Sequence, residues 1–144
     1  MKILALGSHP DDIEYGCGGF LLLAKRMGHD IFMHVLTDGA NTSSADRRRE
    51  QEAAAAILGV KDIYWGRFKD TELVPSRDLI VAIEQAIAKA APDIILVNYP
   101  EDSHQDHKAL SNCAITACRY AQRVLFYHDY TTLTFQPVAF MDIS

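Results

Sequence analysis

Residues Gly7–Gly19, GSHPDDIEYGCGG, stand between the apolar run Ile3-Leu4-Ala5-Leu6 and the apolar-rich segment Phe20–Met27. A short apolar run bounded by turn residues reads as a buried strand, and the segment after it as a helix. The stretch is therefore a strand-to-helix turn at the rim of an α/β sheet, the region where such folds build their sites. Within it His9, Asp11 and Asp12 crowd an imidazole and two carboxylates around Pro10, whose ring fixes one backbone dihedral. A turn by itself needs only one such polar residue.

A second cluster matches the first. After the strand-like run Ile94-Ile95-Leu96-Val97 comes Asn98–His107, NYPEDSHQDH, and then a helical segment, Lys108–Ala121. It supplies His104, Asp106 and His107, again past a strand end and at a helix start. Between and around these points the chain alternates. The reading is strand Lys2–Leu6, helix Gly16–Met27 stopped at Gly28, strand Ile31–Leu36, polar loop Thr37–Ser44, helix Ala45–Leu58 stopped at Gly59, and short strand Asp62–Trp65. A loop Gly66–Ser76 leads to an amphipathic helix Arg77–Ala91 with apolar residues at Leu79, Ile80, Ile83, Ala86, Ile87 and Ala90, ended by Pro92. The fourth strand, the second cluster and its helix follow, then strand Arg123–Tyr127 and an irregular tail. Such alternation implies a Rossmann-like three-layer α/β sandwich with a mostly parallel sheet of about five strands. In the common order 3-2-1-4-5 the first and fourth strands are neighbours where the winding reverses, so the two polar clusters face each other.

Length and composition agree with one domain. The chain has 144 residues, 49% of them hydrophobic, and a net charge of −5. That balance disfavours nucleic acid, which needs a basic face, and the only dense basic run is Arg47-Arg48-Arg49. Three cysteines, Cys17, Cys113 and Cys118, are odd in number and not spaced as zinc pairs, as expected of a reducing cytoplasm. No stretch is long and apolar enough to span a bilayer, and the first residues read as a strand, not a signal peptide.

Imidazole and carboxylate together suit zinc, and a catalytic zinc usually takes three protein ligands. His9 and Asp12, three apart on a chain bending into a helix, reach one ion; His104 or His107 completes the set. The remaining carboxylate and imidazole are free for proton transfer. Taken singly, Asp11 or Asp12 is equally a helix cap and each histidine a loop residue; together at two rims they point to a site.

The run Leu4–Gly19 with SHQDH at Ser103–His107 resembles the PIG-L/LmbE-like family of zinc-dependent N-acetylglucosaminyl deacetylases, whose hallmarks are a His-Pro-Asp-Asp motif after the first strand and a later His-x-Asp-His motif. Leu36-Thr37-Asp38-Gly39, Arg49-x-x-Glu52 before an Ala-rich run to Leu58-Gly59, and Phe135-x-Pro137 with Phe140-x-Asp142-Ile143 extend the likeness along the chain. By position the resemblance implies His9, Asp12 and His107 as zinc ligands. It implies Asp11 as general base, His104 as the acid or oxyanion-stabilising imidazolium, and Asp106 as the group orienting it. Arg49 matches a family arginine that reaches the sugar. Asp38 and Asn41, in a rim loop, bond sugar hydroxyls or simply form the turn. The implied reaction is hydrolysis of the acetamide of an N-acetylated amino sugar or glycoconjugate. Family members usually continue several tens of residues past the Phe-x-Asp-Ile segment, so the resemblance implies a domain that is C-terminally short.

Other residues have plainer readings. Cys17 is a small buried residue. His29, His34 and His128 have no partner by spacing, and Trp65 and Phe68 are packing aromatics as readily as sugar-stacking ones. A nucleotide-binding module is a competing class, but Gly16-Cys17-Gly18-Gly19 lacks the G-x-G-x-x-G spacing and follows an acidic pair. A non-catalytic metal- or sugar-binding homologue is the other. The apolar tail residues Leu133, Phe135, Val138, Phe140 and Ile143 have no later element to cover them, which leads us to expect a homo-oligomer.

Overall fold

The computed structural model describes residues 1–39 and 47–143. Five strands form one parallel sheet in the order β3-β2-β1-β4-β5, the arrangement expected from the alternation. The elements are β1 (Lys2–Gly7), α1 (Asp12–Arg26), β2 (Asp30–Thr37), α2 (Arg47–Leu58), β3 (Val60–Phe68), α3 (Arg77–Ala90), β4 (Ile94–Asn98), α4 (Gln105–Ala117) and β5 (Val124–Tyr127). Successive residues of β1 point to opposite faces, so both faces are apolar. Ile3 and Ala5 join Ile13, Leu21, Met33 and Val35 under α1 and α2. Leu4 and Leu6 join Leu79, Ile83, Leu110 and Ala114 under α3 and α4. Among the described residues no helix is long and apolar enough to cross a membrane.

Several boundaries differ from the sequence reading, each for a local reason. The helix expected from Gly16 begins at Asp12, because the Asp12 carboxylate accepts the N–H groups of Ser8 and His9, both at 2.9 Å, and turns the chain at once. The helix expected from Lys108 begins at Gln105 and ends at Ala117: Nδ1 of His104 accepts the Asp106 N–H and caps it, which places Asp106 and His107 in the first helical turn. The third strand is longer than Asp62–Trp65, since β2 offers partners from Ile31 opposite Val60 to Thr37 opposite Phe68. The helix at Arg77–Ala90 starts where expected, with Oγ of Ser76 accepting the Leu79 N–H at 3.2 Å. Gly39, at φ 61°, follows β2 and lies against Pro10, in a backbone conformation that glycine tolerates best.

Because β1 and β4 are hydrogen-bonded neighbours, the loops after them open on the same rim. The loop after β5 joins them there: Tyr99 N–H donates to the Tyr127 carbonyl, Ser103 N–H to Thr131, and Leu133 N–H to Glu101.

Candidate metal centre and active site

Two imidazoles converge on one carboxylate oxygen. Oδ2 of Asp12 lies 3.4 Å from Nδ1 of His9 and 3.3 Å from Nε2 of His107. The outer nitrogen of each ring meets other carboxylates. Nε2 of His9 faces Oδ2 of Asp106 and Oδ1 of Asp70, each at 3.0 Å. Nδ1 of His107 faces Oδ2 of Asp102 at 3.2 Å and Oγ1 of Thr131 at 3.1 Å, with Oδ2 of Asp129 at 3.9 Å. An outer N–H held by a carboxylate fixes the tautomer and turns the other nitrogen's lone pair inward, which is how protein imidazoles are prepared as metal ligands. Asp12 and His107 are buried, at 2% and 1% exposure, so the inward oxygen and nitrogen are shielded from water. The donor set of two imidazoles and one carboxylate fits a zinc-class ion.

The same set holds positive charge as protons. Burial opposes ionisation of His107, but the hydrogen bond to and charge of Asp12, then of Asp102, carry its pKa up to about 9. Burial likewise opposes His9, and Asp12, Asp106 and Asp70 outweigh it, raising the pKa above the ordinary value. Burial would raise the Asp12 pKa; the two histidines instead push it far below the usual carboxylate range. Asp129 runs the other way, raised to about 6 by burial and by the charge of Asp12. Its Oδ2 is buried without a hydrogen-bond partner.

Asp11 is separated from its neighbour by backbone geometry. It stands at φ 98°, in the left-handed region where a non-glycine residue is uncommon. The next carboxylate therefore points elsewhere: Asp11 is half exposed, with Oδ2 2.6 Å from Nη2 of Arg47. Its N–H donates to Oε1 of Gln51 at 3.2 Å, tying the turn to α2.

His104 completes the imidazole cluster, its ring 4.7 Å from that of His9 and 4.8 Å from that of His107 between centroids. Its pKa is lowered, by burial first and then by the charges on His9 and His107. The imidazolium expected at this position is thus disfavoured. The neutral ring, with Nδ1 accepting the Asp106 N–H, carries its own proton on Nε2.

The structure brings His9, Asp11, Asp12, His104, Asp106 and His107 to one rim, with one change of partnership. The Asp106 carboxylate does not orient His104. It accepts from His9 and from the N–H groups of Thr71, at 2.8 Å, and Leu73, at 3.2 Å, so it couples a metal-ligand candidate to the loop after β3. Of the arginine run, Arg47 reaches the motif, also donating to the Pro10 carbonyl at 3.0 Å. Arg48 pairs with Glu52 and lies over the Trp65 ring, and Arg49 is on an exposed side of α2. Asp38 is exposed at the end of β2, and Asn41 lies outside the described residues. Trp65 and Phe68 are packing aromatics, each against one core layer. Reading the sequence missed Asp70, Asp102 and Asp129. Each lies in a loop following a strand, the signal that singled out the two motifs; Asp70 and Asp129 stand outside both motifs, and Asp102 lies inside the second one but outside its His-x-Asp-His core.

Known proteins resemble the chain both in sequence and in fold. The sequence model of the PIG-L family, described as GlcNAc-PI de-N-acetylase, matches residues 4–118. The uncharacterized deacetylase YaiS of Escherichia coli (strain K12) is 35% identical over 151 aligned positions, covering 99% of this chain and 82% of that protein. The conserved protein TT1542 from Thermus thermophilus has a crystal structure similar at a TM-score of 0.86, with 28% identity over 95% of this chain and 70% of that one. The N,N'-diacetylchitobiose deacetylase of Pyrococcus horikoshii, solved with its inhibitor MPG, gives 0.77 at 34% identity over 84% of this chain. Of that deacetylase the chain spans 50% of the length.

Proposed function

Since the chain belongs to the PIG-L family of GlcNAc-PI de-N-acetylases, we propose that it is a zinc-dependent hydrolase that removes the acetyl group from an N-acetylglucosamine-type amino sugar or conjugate. The observation that carries this reading is the convergence of His9 Nδ1 and His107 Nε2 on Asp12 Oδ2, each ring backed by carboxylates. His9, Asp12 and His107 would hold the ion. When bound, such an ion polarises an amide carbonyl and makes water acidic enough to serve as nucleophile near neutral pH.

The chain's own groups supply the proton traffic and the orientation. Asp11 accepts the proton of the attacking water on the oxygen that Arg47 leaves free, and Arg47 holds the carboxylate in place. His104, as a neutral ring with its proton on Nε2, donates a hydrogen bond to the oxygen that becomes negative as the amide carbon turns tetrahedral. Asp11 then returns its proton to the leaving amine. Acetate and the free amino sugar result, and the proton balance closes without a charged His104. Asp106, Asp70 and Asp102 act through the imidazoles as positioning residues. Arg49, Asp38 and Asn41 stay assigned to the sugar and its substituent.

Reconstitution with zinc and measurement of acetate release from N-acetylglucosamine and its conjugates test the reading. We expect turnover in wild type, with zinc content well below stoichiometric in His9→Ala and His107→Ala. Unchanged zinc in both variants, or no acetate from fully loaded protein, overturns it.

The broader reading is a single cytoplasmic domain that associates with its own kind. Its cysteines are free and buried, and Leu133, Val138, Phe140 and Ile143 are exposed along the tail. Light scattering at working concentration checks the association; a monomer counts against it.

A further inference from the structure

Two tyrosines stand exposed side by side at the edge of the site. Tyr15, on the first turn of α1, is 61% exposed and Tyr130, in the loop after β5, is 63% exposed. Their rings meet edge to face, 5.2 Å between centroids and 81° between planes. Both are tied to the reacting groups. Tyr15 N–H donates to the Asp11 carbonyl at 2.9 Å. Tyr130 sits between Asp129, whose carboxylate accepts its N–H at 2.7 Å, and Thr131, whose Oγ1 is 3.1 Å from Nδ1 of His107.

The loop bearing Tyr130 is held on both sides. Asp129 N–H donates to Oγ1 of Thr132 at 2.9 Å, and Ser103 and Leu133 bond across to Thr131 and Glu101. The phenol also lies within electrostatic reach of the proposed base: its pKa is raised by partial burial first, then by Asp11, Asp12 and Asp129, with Arg47 opposing. Core packing does not account for this pair, since most of each ring faces water. A rigid apolar surface beside a cluster of imidazoles and carboxylates suits a ligand that is apolar on one face and polar at its edges. A pyranose ring has that character: its C–H groups form an apolar face and its hydroxyls a polar rim.

We propose that Tyr130, braced by Tyr15, is the wall against which the sugar ring of the substrate lies, and so sets the preference for a cyclic amino sugar over a simple acetamide. The proposal rests on the deacetylase reading above. Its chemistry also divides the labour at the rim: Asp11 and His104 act on the acetamide, and the tyrosine pair grips the ring that carries it. Removing the wall costs sugar binding and leaves the acetamide chemistry untouched.

The test compares N-acetylglucosamine with N-acetylethanolamine, an acetamide without a ring, on zinc-loaded protein. Tyr130→Ala is expected to raise KM for the sugar about threefold to tenfold, the range of an aromatic contact, with kcat nearly unchanged. Both constants for N-acetylethanolamine should match wild type. Tyr130→Phe, which keeps the ring, should retain the wild-type sugar KM, and Tyr15→Ala should fall between wild type and Tyr130→Ala. Saturation-transfer NMR gives a readout free of turnover: transfer to the ring protons of N-acetylglucosamine should weaken in Tyr130→Ala. Unchanged sugar KM and unchanged transfer in that variant overturn the proposal, as does an equal loss on both substrates, which would mean that Tyr130 only supports His107. If wild type releases acetate from neither compound, the deacetylase reading fails, while the NMR comparison still decides whether the tyrosines grip a sugar.

Discussion

Asp11 and Asp12 carry the same functional group one residue apart, and the backbone sends them to different environments. The φ of 98° at Asp11 turns its carboxylate out to Arg47, while Asp12 is buried between two imidazoles. If Asp12 is a ligand and Asp11 the base, Asp11→Asn should keep zinc and lose hydrolysis by about a hundred- to ten-thousandfold. Asp12→Asn should lose zinc itself, because a neutral oxygen is the poorer ligand. Metal content and acetate release, measured on both, decide it; the reverse pattern exchanges the roles. The buried pair also predicts a pH dependence of stability for chelator-treated protein. His107, raised to about 9, contributes stability that is complete below the ordinary imidazole pKa of 6.5 and is lost as pH rises towards 9. Asp12, depressed, contributes above its ordinary 3.8 and loses that contribution as pH falls below it. The pair therefore stabilises most between these ordinary values. Denaturant melts of wild type minus His107→Gln should show the difference shrinking on the alkaline side; a flat difference would mean that the Asp12–His107 contact carries no charge.

At the scale of elements, α1 is placed by its glycines. A methyl at Gly16 would fall within contact distance of the Tyr127 ring, and Tyr127 is itself anchored by its hydroxyl, which donates to the Leu6 carbonyl at 2.8 Å. The helix thus approaches β5 closely only because Gly16 has no side chain, and that approach sets the Asp11–Asp12 turn opposite the loop carrying Asp129 and Thr131. Gly16→Ala gains helix propensity but must displace either the ring or the helix. Overpacking of this kind typically costs about 1–3 kcal/mol, against a propensity gain of about 1 kcal/mol, so a net loss is expected in a urea melt. A variant as stable as wild type would show that Tyr127 yields freely. Gly16 lies in the stretch that marks the site, yet its glycine is explained by packing, with no need of a phosphate ligand.

For the molecule as a whole, the rim concentrates charge that the fold alone does not require. His9, His104 and His107 stand together with five carboxylates from loops and helix starts spread from Asp12 to Asp129. An ion bound only by the folded state stabilises it by mass action, by about 2.7 kcal/mol at a hundred times Kd. For a domain of this size that is a rise in Tm of roughly 5–10 °C. Zinc should therefore raise Tm and chelation should lower it. Because His107 holds its proton up to about pH 9, uptake at pH 7 should also release about one proton per ion from it, and the raised pKa of His9 adds to that count. Titration calorimetry in two buffers of different ionisation heat counts them. A count near zero would remove the histidines from the ligand set.

Sheet order, layer composition and the two motifs were legible in the sequence because they depend on local pattern: apolar runs at strand period, helical stripes, and polar residues at strand ends. The same locality explains the mistakes. The starts of α1 and α4 moved into the motifs because Asp12 and His104 bond their own neighbouring backbone. Tertiary structure alone decided which carboxylate holds which imidazole. Asp106 stands two residues from His104, yet its carboxylate bonds His9, 97 positions away in the chain. Asp129 enters the cluster because β5 pairs with β4 and the Tyr127 hydroxyl reaches past β4 to the carbonyl of Leu6 on β1, 121 positions away. Spacing along the chain counts bonds, whereas a ligand set is fixed by where side chains point once the strands are packed, and those directions follow from backbone dihedrals and long-range contacts that no local pattern encodes.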